Sequence, residues 1–462
     1  MEDMRFVSSM DQPRIREKEG KEMARTFRGG IHPFEGKELT QEKTTTILLP
    51  KGELVFPMSQ HIGTPAKPIV SKGDKVLVGQ KIGEADGVVS SCIISSVSGT
   101  VKAVEPRLTA NGKIVESIVV ENDNEYTAID GMGNERDYTK LSKEEIRNIV
   151  KEAGIVGMGG AGFPTHIKLT PKDDNAIDYV IVNGAECEPY LTSDYRMMIE
   201  QPERLIQGLK IVLSLFPNAT GLIGIEDNKP DAIKKLKELA ALEKNIEVRV
   251  LKTKYPEGGE RHLIYAMTGR KMNSSMLPFD VGCIVNNVDT LISIALAVSE
   301  STPLIRRVLT VTGDAIKEPQ NFIVPTGIAY TEILEAAGGY VDTPEKIISG
   351  GPMMGLALFS LDVPVTKLSS ALVALLKDEV EEMPLQNCIR CGRCVQVCPC
   401  GLVPQKMMEA AIRFDHEGFE KLHGMECYEC GCCSYNCPSG IYLTQAFKQT
   451  RRSILEERKR EK

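Results

Sequence analysis

The chain is 462 residues long, carries 56 Lys and Arg against 63 Asp and Glu for a formal charge of −7, and is 42% hydrophobic. That length predicts about three domains with several buried cores, and the acidic balance argues against a nucleic-acid binder, which would normally show a basic face. No stretch reaches the roughly 18 consecutive apolar residues of a membrane-spanning helix, and the longest apolar runs, LISIALAV and ALVALL, read as core helices.

The opening residues, MEDMRFVSSMDQPRIREKEG, are polar and mixed in charge, which is not the pattern of a signal peptide, so a cytoplasmic protein is expected. Residues 1–45 read as an N-terminal extension, its first 25 residues either without order or docked on a partner. Within 46–125, PIVSKGDKVLVGQKI and ISSVSGTVKAVE are short alternating strands joined by Gly-Asp and Ser-Gly turns. This stretch is similar to the lipoyl/biotinyl barrel-sandwich domain. Such a domain needs a modifiable lysine on the turn between those segments, and none lies between Lys81 and Lys102, so a rigid packing module is expected. His61 reads as a hydrogen-bonded turn residue.

Residues 140–305 read as an α/β sandwich. A helix, SKEEIRNIVKEA, runs into GIVGMGGAGFPTHIKL, where Gly157, Gly159, Gly160 and Gly162 let backbone N–H groups approach a phosphate and Lys168 adds a positive charge. The loop is not a plain dinucleotide fingerprint, because a helix precedes it and Pro164 interrupts it; taken alone, a tight loop packed under a helix is an equal reading. YVIVN is a buried strand by its continuous apolar run. The acidic turn after it presents Glu186 and Glu188 at a strand's C-terminal end, where open α/β sheets bind ligands. LIGIEDNKPDAIKKLKELAALEKNIEVRVLKTK supplies a strand, a helix and a strand, and KYPEGGERHLIYAMTGR follows. IVNNVDTLISIALAV is a strand entering a helix, with Asn286, Asn287 and Thr290 at the switch. These polar turns are expected to converge on one edge of the sheet.

In 306–362, two strands, a helix and a returning strand outline a β-grasp module, expected to act as a spacer. From 363 to 462 the chain is expected to be helical, with a basic tail that reads as a solvated helix end. Here lie CIRCGRCVQVCPCG and CYECGCCSYNCPSG, holding eight of ten cysteines at spacings of two, two and three. Thirteen cysteines without an export signal do not form a disulfide framework. Zinc favours well-separated CxxC pairs, whereas three thiolates this close wrap three corners of an iron–sulfur cube. In bacterial two-cluster proteins the fourth cysteine of each run serves the other cube. On that pattern Cys388, Cys391, Cys394 and Cys437 hold one cluster, and Cys427, Cys430, Cys433 and Cys398 hold the other. Cys400 and Cys432 are left over, and Cys92, Cys187 and Cys283 read as small buried hydrophobes.

The series GMGGAGFPTHIK, NGAECEP, YPEGGE and NNVDT resembles the flavin-binding core of the 51-kDa NADH-oxidising subunit of respiratory complex I. Over nearly the whole chain the sequence resembles the C subunit of the Rnf complex, a membrane-bound ferredoxin:NAD oxidoreductase; GGIHPFEGK, PMSQHIGTPAKPIVSKGDKV, the glycine loop and the paired cysteine runs occur in that family's order. The resemblance implies non-covalent FMN, hydride exchange with NAD(H), and two [4Fe-4S] clusters. Gly157, Gly159, Lys168, Asn183, Glu186, Tyr255, Gly258, Asn286, Asn287 and Thr290 would line the flavin, with Phe163 and Glu260 on the nicotinamide side. Ala185 and Gly259 depart from the complex I pattern, which has acidic residues there. Also implied are a soluble-ligand-binding β-grasp domain at 306–362, membrane-bound Rnf subunits as partners, ferredoxin reached indirectly through one of them, and a peripheral position on the cytoplasmic side of the membrane. No side chain is expected to act as a catalytic acid or base, because hydride transfer is the cofactor's own chemistry. The rival expectations are a soluble flavin/iron–sulfur reductase, laid out like cobalamin reductase, and a scaffold whose clusters are structural.

Overall fold

The structure, a computed structural model, describes residues 24–160 and 162–460; the first 23 residues of the N-terminal extension lie outside it. After a short edge strand β1 (Thr46–Ile47), the chain builds two small antiparallel sheets. They are formed by β2 (Glu53–Pro57), β3 (Lys67–Pro68), β4 (Lys75–Val76), β5 (Lys81–Glu84), β6 (Ile93–Ile94), β7 (Gly99–Leu108) and β8 (Ile114–Asn122), in the orders β2-β8-β7-β4 and β3-β5-β6. Leu54, Phe56, Ile82, Ile93, Ile118 and Val120 fill the space between them. Both ring nitrogens of His61 are bonded within this module, to Ile62 O and Ser91 N–H, each at 3.1 Å.

Next come α1 (Lys143–Glu152), opened by a Ser142–Glu145 capping box, and the single turn α2 (Thr165–Lys168). A four-stranded parallel sheet follows, made of β9 (Tyr179–Gly184), β10 (Thr220–Glu226), β11 (Ile246–Leu251) and β12 (Cys283–Asn287), in the order β11-β10-β9-β12. Its helices are α3 (Ser193–Glu200), α4 (Pro202–Leu213), α5 (Pro230–Ala240), α6 (Glu260–Thr268) and α7 (Val288–Ser299). Successive residues of a strand point to opposite faces: Val180 and Val182 enter one core and Ile181 the other. Both faces being covered, the strand reads as an unbroken apolar run. Arg25 to Ile31 lies along the far edge, pairing with Leu251 and then Tyr255.

The third body is a six-stranded mixed sheet, β1-β14-β13-β17-β15-β16, built from β13 (Arg306–Thr312), β14 (Gln320–Pro325), β15 (Lys346–Ser349), β16 (Leu356–Ala357) and β17 (Ala371–Leu375), with α8 (Tyr330–Ala336) against it. β17 corrects the helical expectation for ALVALL and for the chain directly after 363. These residues form a strand parallel to β13 and antiparallel to β15. Leu372 and Ala374 face one core while Ala371 and Val373 face another. A strand buried on both faces and a buried helix give the same continuous apolar run, so periodicity cannot separate them.

The remainder is helical: α9 (Glu379–Glu382), α10 (Arg393–Val397), α11 (Pro404–Ile412), α12 (His416–Lys421), α13 (Cys432–Tyr435) and α14 (Leu443–Arg460). Met407, Phe419 and Phe447 sit at its centre. Among the described residues no helix is long and apolar enough to cross a membrane.

Candidate cofactor site

The parallel sheet steps from β9 to β10 to β11 on one side and then returns to place β12 on the other side of β9. The C-terminal ends of β9 and β12 therefore flank the point where the chain connections diverge, the place where open α/β sheets hold their ligands. Their register sets Asn287 beside Asn183 and Asn286 beside Val182. Asn287 caps α7, its Oδ1 accepting from Asp289 N–H at 2.9 Å, while its amide donates to Asp194 Oδ2 at 2.6 Å. Asn183 donates to Gly258 O at 2.8 Å and so draws the 255–260 turn over the end of β9.

The glycine loop closes on the same point. Met158 N–H donates to Thr290 Oγ1 at 3.0 Å, and Gly157 N–H to Phe163 O at 2.9 Å. A Cβ on Gly159 would stand 2.9 Å from Asn287 Cβ, whereas one on Gly160 would meet nothing within 4 Å. Gly162, at φ +70°, packs against Leu368 and His61, so two other modules support the loop from behind. Lys168 donates to Val285 O at 3.1 Å; burial lowers its pKa and the nearby Glu260 partly offsets this. Glu260 starts α6, its N–H bonded to the Tyr428 hydroxyl at 2.8 Å. Phe163 is half-buried beside the loop.

The two glutamates turn inward. Glu186, at φ +50°, accepts from Asp194 N–H at 2.7 Å. Glu188 reaches the loop after β15 and accepts from Met353 N–H at 3.0 Å. Burial pushes Glu188 up to about 7, against the lowering effect of that N–H. Asp194 is pushed to about 7 by burial, then by Glu186 and Asp289. Sequence reasoning missed the groups that hold this turn. Lys37 donates to Glu186 O and Glu188 O at 3.0 Å, and Lys229 donates to Ala185 O at 2.7 Å. For Lys37 no local pattern carries a signal, since its partners lie some 150 residues away.

A flavin fits the residues present. Asn286 is 1% exposed, yet neither amide atom of its side chain has a partner in the protein. A buried amide with nothing to bond is costly unless a bound group completes it. Open space at Gly160 and the Lys168 ammonium suit a phosphate beside it.

All thirteen cysteines are free thiols. Cys398, Cys427, Cys430 and Cys433 line one hollow, together with Cys400 and Cys432. Leu402 and Glu429 N–H groups point at the Cys398 and Cys427 sulfurs at 3.3 and 3.4 Å. Burial raises Cys427 and Cys433 to about 12, so a positive centre is what their thiolate forms lack. For the other set, Gln386 N–H donates to Ser439 O at 2.9 Å and Ser439 Oγ to Asn387 O at 3.1 Å, which lays the chain just before Cys388 beside the chain just after Cys437. Cys394 lies 3.5 Å from Gln405 of α11. Zinc draws its four sulfurs to about 2.3 Å from one ion. Among the described residues, the group of three or more ligand atoms mutually within 4.8 Å is Glu84, Cys92 and Glu152, where Lys81 already bonds both carboxylates; no set of cysteines closes that tightly. The spread thiol sets suit a multi-iron core.

Both cysteine runs are tied to the rest of the chain, the second of them to the crevice turn. The Tyr255 hydroxyl donates to Cys430 O at 2.7 Å, Arg261 pairs with Glu426 at 2.9 Å, and Gly30 N–H donates to Val397 O at 2.9 Å. Ile31, Tyr255, Cys187, Met353, Val397 and Tyr428 pack around Cys430 and Cys432.

Four family profiles match in series: an RnfC barrel sandwich hybrid domain at 25–125, a Nuo51 FMN-binding domain at 150–296, an SLBB domain at 308–357 and a 4Fe-4S dicluster domain at 385–441. The chain is 43% identical over 385 residues to the C subunit of the proton-translocating ferredoxin:NAD(+) oxidoreductase complex of Clostridium ljungdahlii, covering 83% of this chain and 84% of that one. To the Na(+)-translocating counterpart of Acetobacterium woodii it is 44% identical over 388 residues, covering 84% and 88%. The C subunit of the ion-translocating oxidoreductase complex of Rhodobacter capsulatus is 38% identical over 400 residues, covering 86% and 77%. Among solved structures, an NAD+-reducing [NiFe]-hydrogenase chain aligns with a TM-score of 0.47 at 19% identity, over 68% of this chain and 63% of that one.

Proposed function

The chain belongs to the RnfC family, the C subunits of ion-translocating ferredoxin:NAD(+) oxidoreductase (Rnf) complexes, and from that membership we propose how its parts carry electrons. It is the NAD(H)-linked electron-transfer subunit, with FMN in the crevice at β9 and β12 and two [4Fe-4S] clusters in the helical region. Its partners are the other subunits of the complex, and ferredoxin exchanges electrons with it through one of them. We place it on the cytoplasmic face of the membrane, held there by those subunits. The membership disfavours the soluble-reductase and scaffold readings.

Bound flavin supplies the conversion between two-electron hydride exchange and one-electron steps, and the clusters relay single electrons. The chain's own residues orient and insulate. Asn286 offers a donor and an acceptor inside the crevice, and Asn183, Asn287 and Thr290 hold the strand ends and the glycine loop in register. Gly160 leaves room for a phosphate, Gly157 and Gly159 let the loop close on Lys168 and Asn287, and Lys168 stands by to balance the charge. Phe163 and Glu260 border the side from which a nicotinamide enters. Glu186 and Glu188 each brace the turn through one carboxylate oxygen, and the other oxygen of each, buried without a hydrogen-bond partner in the protein, is left for the ligand. Cys398, Cys427, Cys430 and Cys433 form the cluster set beside the crevice, and Cys388, Cys391, Cys394 and Cys437 the outer set.

The observation that carries this reading is the clamp between the crevice turn and the second cysteine run, through Tyr255, Arg261 and Tyr428. Anaerobic purification followed by iron, sulfide and flavin assay tests it. We expect about eight irons and one FMN per chain, flavin bleaching on addition of NADH, and loss of about half the iron in Cys398→Ser and in Cys437→Ser alike. A colourless, zinc-loaded protein would sink it. Release of the chain from membranes by mild lysis alone would overturn the peripheral placement.

A further inference from the structure

We propose that Lys37, on the strap 29–45 that leads into β1, is a positioning residue for the flavin: its ammonium holds the 185–191 turn and fixes a positive charge there that favours the reduced cofactor over the oxidised one. The inference rests on the flavin assignment above and adds to it a residue from outside the α/β domain. The strap is anchored along the crevice turns. Ile31 N–H donates to Tyr255 O at 2.9 Å and Tyr255 N–H to Ile31 O at 3.0 Å, and Tyr190 N–H donates to Glu35 O at 2.6 Å. Gly36, at φ +60°, lies against the Tyr190 ring, whose Cε1 is 2.5 Å from where a Cβ would stand, so a side chain here would displace the ring. Thr40 Oγ1 meets Thr192 Oγ1 at 2.7 Å, and its carbonyl accepts from Asn321 Nδ2 at 3.0 Å. Between these anchors the Lys37 side chain runs inward and is 7% exposed.

Three carbonyls of the turn receive it: Leu191 O at 2.5 Å, and Glu186 O and Glu188 O at 3.0 Å. A neutral amine has two N–H groups to give and three acceptors use three, so the group is an ammonium. Burial lowers its pKa; Glu186 opposes the fall, Lys229 adds to it, and Glu226 and Cys187 oppose it. Glu186 Oε2 stands 3.9 Å from the ammonium. That oxygen and Glu188 Oε1 are buried without a hydrogen-bond partner on the same turn. NADH gives a hydride and leaves as NAD+, and the ring that takes the hydride gains one proton and two electrons, hence one negative charge. That new charge meets the carboxyls of the turn, and the ammonium held by the same turn offsets them. A charge set in place before the reaction, in a wall from which water is excluded, acts strongly and needs no reorganisation.

The test uses the full chain with both clusters loaded. Lys37→Met, Lys37→Gln and Thr40→Val are compared with wild type by the midpoint potential of the bound flavin and by the affinities for oxidised FMN and for dithionite-reduced FMN. Expected in Lys37→Met and Lys37→Gln alike is a loss of affinity for reduced FMN at least tenfold greater than the loss for oxidised FMN, which lowers a two-electron potential by ~30 mV or more. Thr40→Val loosens the strap and keeps the ammonium, so the ratio of the two affinities and the potential should stay at their wild-type values. Gln still has two N–H groups for the carbonyls, so Lys37→Gln reads the charge even where Lys37→Met fails to fold. An unchanged potential in Lys37→Gln, or a drop in Thr40→Val as large as in Lys37→Met, would overturn the proposal. Wild-type protein that holds FMN and bleaches with NADH separates that failure from a failure of the flavin assignment.

Discussion

Glu188 illustrates what a single side chain does at the joint between modules. One oxygen accepts from Met353 N–H and the other is buried without a partner, and burial holds its pKa up at about 7. A carboxyl whose folded pKa is raised binds its proton more tightly in the native state than in the unfolded chain. Its contribution is therefore full below about 4.5 and is lost as pH rises through 7. Glu188→Gln removes the ionisation, so the variant should gain on the wild type by up to ~3 kcal/mol above pH 7 and by little at pH 4.5. Urea unfolding across that range measures it, and a pH-independent difference would count against the assignment. The residue itself stood out in the sequence as an acid at a strand's end, but its direction did not. NGAECEP carries no signal for the Met353 N–H that one of its oxygens accepts from, because that partner lies on a loop some 165 residues away.

At the scale of the element, the glycine loop works because its neighbours come from three places. Gly162 sits at φ +70° with Leu368 packed where a Cβ would go, a backbone region that costs an L-residue about 1–2 kcal/mol. Gly162→Ala should push the loop off Asn287 and Thr290, and FMN should be lost on gel filtration while iron content stays whole; retained flavin fluorescence in the protein peak would contradict this. The parallel sheet was legible from YVIVN and IVNNVDT because a strand buried on both faces leaves an apolar run with polar residues only at its ends. The same physics hid β17: ALVALL has the composition of a buried strand and of a buried helix, and the pairing with β13 and β15 settled it.

Across the whole molecule, one buried lysine, its pKa lowered to about 7 by burial, joins three modules. Lys367 donates to Cys92 O at 2.5 Å, to Gly154 O at 2.6 Å and to Ser91 Oγ at 3.3 Å, linking the β-grasp sheet to the barrel sandwich and to the end of α1 just before the glycine loop. Lys367→Met should strand two buried carbonyls, at roughly 1–3 kcal/mol each, giving a lower urea midpoint and weaker FMN retention than wild type. An unshifted midpoint would show that the modules are held elsewhere. The amino-acid sequence by itself determined the kind of chemistry: cysteine spacing and glycine placement are local, and a cube of iron and sulfur or a phosphate is recognised by groups that stand close along the chain. The tertiary structure alone decided which thiol set lies against the crevice and which faces outward. That order depends on Tyr255 meeting Cys430 and on Gly30 meeting Val397, contacts between residues far apart in the chain that only the packed modules bring within hydrogen-bond reach.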